Sequence, residues 1–302
     1  MNPNRNPNVT VVGVPMDLGA DRRGAELGPD AVRSAGLMQC LGGLGYHVTD
    51  EGNVIVQRGR QGAVNTLLKH VEEIARVSGK LCEQVSRIRE AGRFPLVLGG
   101  DHSTAIGTLA GLTRGKERLG LLWFDAHGDV NTADTSPSGN IHGMALAAAL
   151  GYGDSRLTSI GHPRSDIHPG NVALIGTRSL DPGEKHFVKQ QGITVFSMRD
   201  IDRLGITDVL GQALQIVSAG TDGVHLSFDL DVLDPISAPG VSTPVPGGLT
   251  LREGLLAMEL LSEANVLISA EFVEMNPLAD QADRTVQAAA RLIAVLFGER
   301  TI

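Results

Sequence analysis

Residues 119–132 read LGLLWFDAHGDVNT, an apolar run that stops on Asp125, His127 and Asp129. A short run of Leu, Trp and Phe suits a strand buried on both faces, as in a parallel sheet covered by helices. In an extended chain residues i, i+2 and i+4 face the same way, so Asp125, His127 and Asp129 are expected to point at one spot. Two carboxylates packed together without a counter-charge repel and shift their pKa upward. The pattern therefore calls for a cation that the chain does not supply itself.

The same grammar recurs outward from this stretch. Strand-type runs occur at VTVVGVP (9–15), PLVLGG (95–100), NVALIGT (171–177), GITVFS (192–197), GVHLSFDLD (223–231) and VLISAEFVE (266–274). Between them lies helical spacing over about 61–91, 103–112, 142–151, 183–191, 207–219, 250–263 and 281–298. Alternation of this kind predicts an α/β fold, a three-layer α/β/α sandwich with right-handed crossovers around a mostly parallel sheet. No repeat, low-complexity tract or linker divides the chain, so residues 1–302 are expected to form one domain. Gly- and Pro-rich stretches follow the strands at 22–29, 135–140 and 237–248. Ligands in open α/β sheets bind outside the carboxyl ends of strands, which is where such loops sit.

Composition narrows the function. With 42% hydrophobic and 20% charged residues the chain is expected to be soluble and globular with a sizeable core. A net charge of −8 argues against nucleic acid as a partner. No apolar run approaches the ~20 residues that span a bilayer. The opening MNPNRNPN lacks the apolar core of a signal peptide, which points to the cytoplasm. Cys40 and Cys82 show neither CxxC nor zinc spacing and read as packed or idle thiols.

Three strand-type runs end in the same vocabulary: LGGDH with His102, WFDAHGD with Asp125, His127 and Asp129, and SFDLDVLDP with Asp229 and Asp231. Alone, GGDH fits an ordinary turn and DxD fits a loop cap. DxHxD is harder to dismiss, and all three at strand ends point to a metal site. Four Asp and two His could hold two divalent ions if some carboxylates bridge, at the ~3.5–4 Å separation of two-metal hydrolytic sites. Oxygen and imidazole ligands without thiolate suit manganese or iron, and manganese is the expected metal.

LGGDHSTAIG, LLWFDAHGD and SFDLDVLDPISAP resemble the three metal-binding signatures of the ureohydrolases, the arginase and agmatinase family. The likeness extends over VGVPMDLGADRRGAELGPDAVRSAGL (12–37), NTADTSPSGNIHG (131–143), RSLDPGEK (178–185) and SAEFVEMNP (269–277), which look like the bacterial arginase branch. The resemblance implies a roughly eight-stranded sheet with two Mn²⁺ ions per subunit at one edge. His102, Asp125, Asp129 and Asp229 would hold one ion, and Asp125, His127, Asp229 and Asp231 the other, with Asp125 and Asp229 bridging. It further implies hydrolysis of L-arginine to L-ornithine and urea by a metal-bridging hydroxide. His142 would shuttle the proton, Asp129 would pass it within the site, and Glu274 would pair with the guanidinium. Asn131, Ser138 and Asp181 would surround the α-amino and α-carboxylate groups.

A homo-oligomer, trimer or hexamer, is implied as well. The chain stops at Ile302 without the longer tail of animal arginases. Gly128, Val232 and Ser242 depart from residues common in arginases, and Thr243 matches a family position without an assigned role. The other histidines, His47, His70, His162, His168, His186 and His225, read as structural or solvated. Alternatives are another ureohydrolase acting on agmatine or a guanidino acid, and a non-catalytic metal-binding scaffold. A binuclear phosphatase would need a basic group for phosphate, and none stands in these motifs.

Overall fold

Among the described residues eight parallel strands form one sheet in the order β2-β1-β3-β8-β7-β4-β5-β6. They are β1 Asn8–Val14, β2 His47–Asn53, β3 Phe94–Gly99, β4 Leu119–Phe124, β5 Val172–Thr177, β6 Thr194–Ser197, β7 Gly223–Asp229 and β8 Leu267–Val273. The computed structural model describes residues 6–58, 68–115, 118–161 and 167–300. His162, residues 61–67 of the predicted 61–91 helix and the terminal Ile302 lie outside the described residues.

The central strands alternate between two apolar layers, as the pleat requires. On β4, Leu122 and Phe124 enter one layer while Leu119, Leu121 and Trp123 enter the other. The first layer is covered by α1 Gly28–Ser34, α2 Leu37–Gly43, and later helices Met198–Val217, Leu251–Ala264 and Arg284–Leu296. The second is covered by α3 Val71–Glu90, α4 Thr104–Thr113 and α5 Ala145–Ala149. Helix α6 Ser155–Thr158 and α7 Pro182–Gln191 complete the middle of the chain, so the later helices are α8, α9 and α10. The three-layer architecture is thus as predicted. Among the described residues no helix is long and apolar enough to cross a membrane.

Differences from the sequence reading have local causes. Strand β2, HVTDEGN, was not among the predicted strands because it is an edge strand whose side chains are mostly exposed. Its polar sequence carries no burial pattern. Of the described part of the predicted 61–91 helix, residues 68–70 form a bend and turn and α3 runs from Val71 to Glu90. Helix α8 starts at Met198 rather than 207, on a capping box of Ser197 and Asp200, and breaks at Gly205, whose φ of 80° is non-helical. The apolar periodicity resumes only after that break.

Candidate metal centre

The sheet order brings distant parts of the chain to four adjacent strand ends. His102 follows β3, Glu274 follows β8, Asp229 ends β7 with Asp231 just beyond it, and Asp125, His127 and Asp129 follow β4. The turn after β3 runs against the one after β1: a Cβ on Gly100 would lie 1.8 Å from the Met16 carbonyl oxygen, so only glycine fits. Buried Asp101 then ties the turn together, accepting from Gly19 N at 2.7 Å and from Ser103 N at 3.0 Å.

The expectation that a strand pleat aims Asp125, His127 and Asp129 is corrected. Strand β4 stops at Phe124, and Asp129 has a left-handed φ of 54°. The side chains converge through a turn instead. Asp125 Oδ1 accepts from His127 N at 2.7 Å, and the Asp129 carbonyl accepts from Leu146 N and Ala147 N at 3.0 and 3.2 Å. Asp231 likewise lies in a 3-10 turn, Leu230–Val232, where its N–H donates to Asp229 Oδ1 at 2.7 Å. Turn hydrogen bonds, not alternation, set the side-chain directions.

Two groups result. His102 Nδ1 lies 3.1 Å from Asp125 Oδ2, 3.0 Å from Asp129 Oδ2 and 3.1 Å from Asp229 Oδ2. His127 Nδ1 lies 3.0 Å from Asp231 Oδ2 and 3.3 Å from Asp125 Oδ1. His102, Asp125 and Asp129, and separately Asp125, His127 and Asp231, converge closely enough to hold a metal ion. Asp125 contributes one oxygen to each. Trp123 stacks on the His102 ring at 4.1 Å and donates its Nε1–H to Asp125 Oδ2 at 3.0 Å. Thr243 donates to Asp231 Oδ2 at 3.1 Å, which gives that position a place in the site.

Charge makes the case for cations. Burial and the neighbouring Asp231 and Asp125 push Asp229 well above the ordinary carboxylate range. Burial and Asp125 push Asp129 up to about 7. Burial alone would lower the two imidazoles, but Asp125, Asp129 and Asp229 raise His102 well above its usual pKa, and Asp231 and Asp125 push His127 up to about 12. The four buried carboxylates outweigh two protonated imidazoles only when more than two of them are ionised, a state that the raised pKa values of Asp129 and Asp229 show needs added positive charge. Hard oxygens, imidazoles and surplus negative charge fit a pair of divalent cations.

Beside these groups Glu274 is fully buried and has a left-handed φ of 64°. Its Oε1 accepts from His102 N at 2.9 Å and faces His142 Nδ1 at 3.1 Å, while Oε2 has no hydrogen-bond partner among the described residues. Burial lowers the His142 pKa, but Glu274 outweighs it and pushes it up to about 9. The His142 N–H donates to Gly19 O at 3.1 Å, so the Asp101-bound segment also sets this histidine. Asn131 Nδ2 donates to Asp181 Oδ2 at 2.8 Å, and Asp181 caps α7 in a box with Glu184. Ser138 is exposed, with its Oγ accepting from Asn140 N at 3.2 Å.

Arg178 is a support that sequence reasoning missed. Its guanidinium donates to the carbonyls of Asp231, Val232 and Leu233 at 2.7, 3.2 and 3.4 Å and to that of Val245 at 2.7 Å. It thereby clamps the turn that carries Asp231. A lone Arg after a strand gives no sequence signal of that role. Of the other histidines, His225 is fully buried, whereas His47 and His186 are exposed. The departures are also accommodated. Val232 packs in the core, Ser242 Oγ accepts from Asn276 Nδ2 at 3.2 Å, and a Cβ on Gly128 would meet Leu180 Cδ2 at 2.7 Å.

A parallel α/β sheet with paired His/Asp groups at the carboxyl ends of its central strands defines a metal-dependent hydrolase of the three-layer class. The description "Arginase family" matches residues 7–298. An arginase of Bacillus caldovelox is 52% identical over 97% of this chain and 98% of its own length, and one of Brevibacillus brevis is 50% identical over 98% and 100%. A solved arginase structure from Bacillus caldovelox superposes with a TM-score of 0.95 at 51% identity, covering 98% of this chain and 99% of its own. The chain belongs to the arginase family.

Proposed function

We propose that this chain hydrolyses the guanidinium group of L-arginine, giving L-ornithine and urea, with two manganese ions per subunit. His102, Asp125, Asp129 and Asp229 would hold one ion. Asp125, His127, Asp229 and Asp231 would hold the other, Asp125 and Asp229 serving both. The two oxygens of Asp125, turned toward His102 and His127 respectively, support its place in both groups. When bound, the ions lower the pKa of a water molecule so that hydroxide is available near neutrality.

The observation that carries the reading is Glu274 Oε2, a buried carboxylate oxygen without a partner among the described residues, on a side chain whose other oxygen accepts from His102 N and faces His142. Leaving such a group unpaired costs about 1–3 kcal/mol or more, so it suits a charged donor brought by a ligand. A guanidinium keeps its proton at physiological pH and offers a planar fork of N–H groups. Glu274 accepts from that fork and orients the guanidinium carbon. Hydrolysis makes a C–O bond and breaks the bond from that carbon to the substrate's side-chain nitrogen, which must gain a proton. His142, with its pKa near 9, carries one at neutral pH and delivers it, and Asp129 moves the proton within the site. Asn131 and Ser138 hold the α-carboxylate and Asp181 the α-amino group. Asn131 has one amide hydrogen left for this task after its bond to Asp181.

The whole chain, 1–302, is taken as one unit, supported by a single sheet whose central strands come from both halves of the sequence. The reading extends to a cytoplasmic homo-oligomer, trimer or hexamer, on family likeness alone. Urea release from arginine and from agmatine, measured side by side after manganese loading, tests the assignment. Release from arginine at far higher kcat/KM supports it. Equal or better release from agmatine transfers the chain to another ureohydrolase specificity, and no release from any guanidino compound leaves a metal-binding scaffold.

A further inference from the structure

Beneath the ligand groups, β7 and β8 carry a second polar row that the proposed reaction does not use. Their register pairs His225 with Ser269, Ser227 with Glu271 and Asp229 with Val273. Neighbouring strands put Leu121, Trp123 and Val97 in line with these pairs, all of them in one apolar layer. Glu271 and His225 are fully buried there. Ser227 Oγ donates to Glu271 Oε1 at 2.7 Å and lies 2.9 Å from His102 Nε2. His225 Nδ1 lies 2.7 Å from Ser269 Oγ, and its Nε2 stands 3.6 Å from Glu271 Oε1, beyond a hydrogen bond. Glu271 Oε2 has no hydrogen-bond partner among the described residues.

A buried carboxylate with one hydrogen bond is a costly core residue, and an apolar replacement of similar volume is often neutral or stabilising. Its contacts give it a direction. Burial raises the Glu271 pKa, but His225, His102 and Ser227 together hold it below the ordinary range, so the group is ionised. An ionised carboxylate only accepts, so the single hydroxyl hydrogen of Ser227 must go to Glu271. Ser227 Oγ is left with lone pairs alone. Its contact with His102 Nε2 can then only be an N–H donated by the imidazole. One hydrogen is thus fixed on Nε2, so the proton that leaves when a metal ion binds comes from Nδ1, the nitrogen that faces Asp125, Asp129 and Asp229.

We infer that Glu271 is a positioning residue which, through Ser227, fixes the tautomer and ring orientation of His102 for metal binding. This rests on the proposed metal pair, and it concerns only the ion held by His102. Outer partners of metal-bound histidines typically change metal affinity about 10- to 100-fold.

The test is a Mn²⁺ titration of the metal-free full chain, followed by calorimetry and by electron paramagnetic resonance, with thermal unfolding of the metal-free protein alongside. The amide of Glu271→Gln can donate to Ser227 and so no longer dictates the direction of the chain of hydrogens. That variant should lose about 10- to 100-fold in affinity for one ion while the other binds as before. Ser227→Ala should show the same selective loss, and the double variant should be no worse than Ser227→Ala. Two ions bound by Glu271→Gln with wild-type affinity, both weakened equally, or losses that add in the double variant would overturn the relay. A lowered unfolding midpoint with intact affinities would do the same, because that is all a packing role predicts. If Glu271→Gln does not fold, Ser227→Ala decides, since it removes no charge. A wild-type chain that binds no ion overturns the metal-pair reading and the relay together, whereas two ions bound with the same affinities by wild type and variants overturn only the relay.

Discussion

Glu274→Gln isolates the charge that the proposed function places beside the substrate. The geometry allows a clean substitution. An amide oxygen in the place of Oε1 keeps the acceptor for His102 N at 2.9 Å and the contact with His142 Nδ1 at 3.1 Å. The amide nitrogen then occupies the place of Oε2, the atom without a partner among the described residues. Two N–H donors would thus face the donors of a guanidinium. Removing one charge from a buried, hydrogen-bonded pair costs about 2–5 kcal/mol, which is roughly 30- to 5,000-fold in kcat/KM. The assay is steady-state urea release from arginine, with metal content measured on the same sample. Full metal content with a loss in that range is expected. A loss below about tenfold, or under ~1.4 kcal/mol, would refute the pairing of Glu274 with the guanidinium.

Metal-loaded protein should contain two ions per chain, and Asp125→Ala should lose both, because one oxygen of Asp125 faces each group; elemental analysis checks this. Loading should also release protons near neutral pH. His102 and His127 have raised pKa values, about 12 for His127, and stay protonated without metal but must be neutral to bind it, so apparent affinity rises with pH. Proton uptake or none on loading, read in weakly buffered solution, would contradict the ligand assignment. His142→Ala should lower kcat by roughly ten- to a thousand-fold with little change in KM, partly restored by added imidazole. Arginine should be preferred over agmatine by ~10²-fold or more, since donors meant for a carboxylate lose their partner, and Ser138→Ala should narrow the gap by raising KM for arginine alone. Asn131→Ala should do so more strongly, because it also frees Asp181.

The parts of this structure legible in sequence are those written in apolar runs and in short-range spacing. LGLLWF fills β4 as read, and each of the seven predicted strands exists within two residues at its start. His102, Asp125, His127, Asp129, Asp229 and Asp231 converge as the strand-end vocabulary implied. The reason given for their convergence was wrong in part, since turns at Asp125–Asp129 and Leu230–Val232 override the pleat. A left-handed backbone at Asp129 and Glu274 leaves no trace in residue type, because neither is glycine. The polar edge strand β2 was invisible to a search for burial. Arg178, Ser227 and Glu271 escaped because their partners lie at least 44 residues away or are backbone carbonyls, and no local spacing encodes such pairs.

The strand order also bears on how the chain can assemble. Strands β2, β1 and β3 form one half-sheet and β4, β5 and β6 another, both complete once residue 197 has been made. Strands β7 and β8, from residues 223–273, are inserted between them and supply every pairing that joins the halves. Until they arrive, β3 and β4 each present a fully buried-type apolar edge with unpaired backbone groups. Such edges are templates for strand addition by another chain. A ribosome-bound or C-terminally truncated chain ending before residue 223 therefore carries two sticky edges and a cluster of metal-ligating side chains split across them. The hairpin-free insertion of β7 and β8 is the keystone step, and until it occurs aggregation competes with closure.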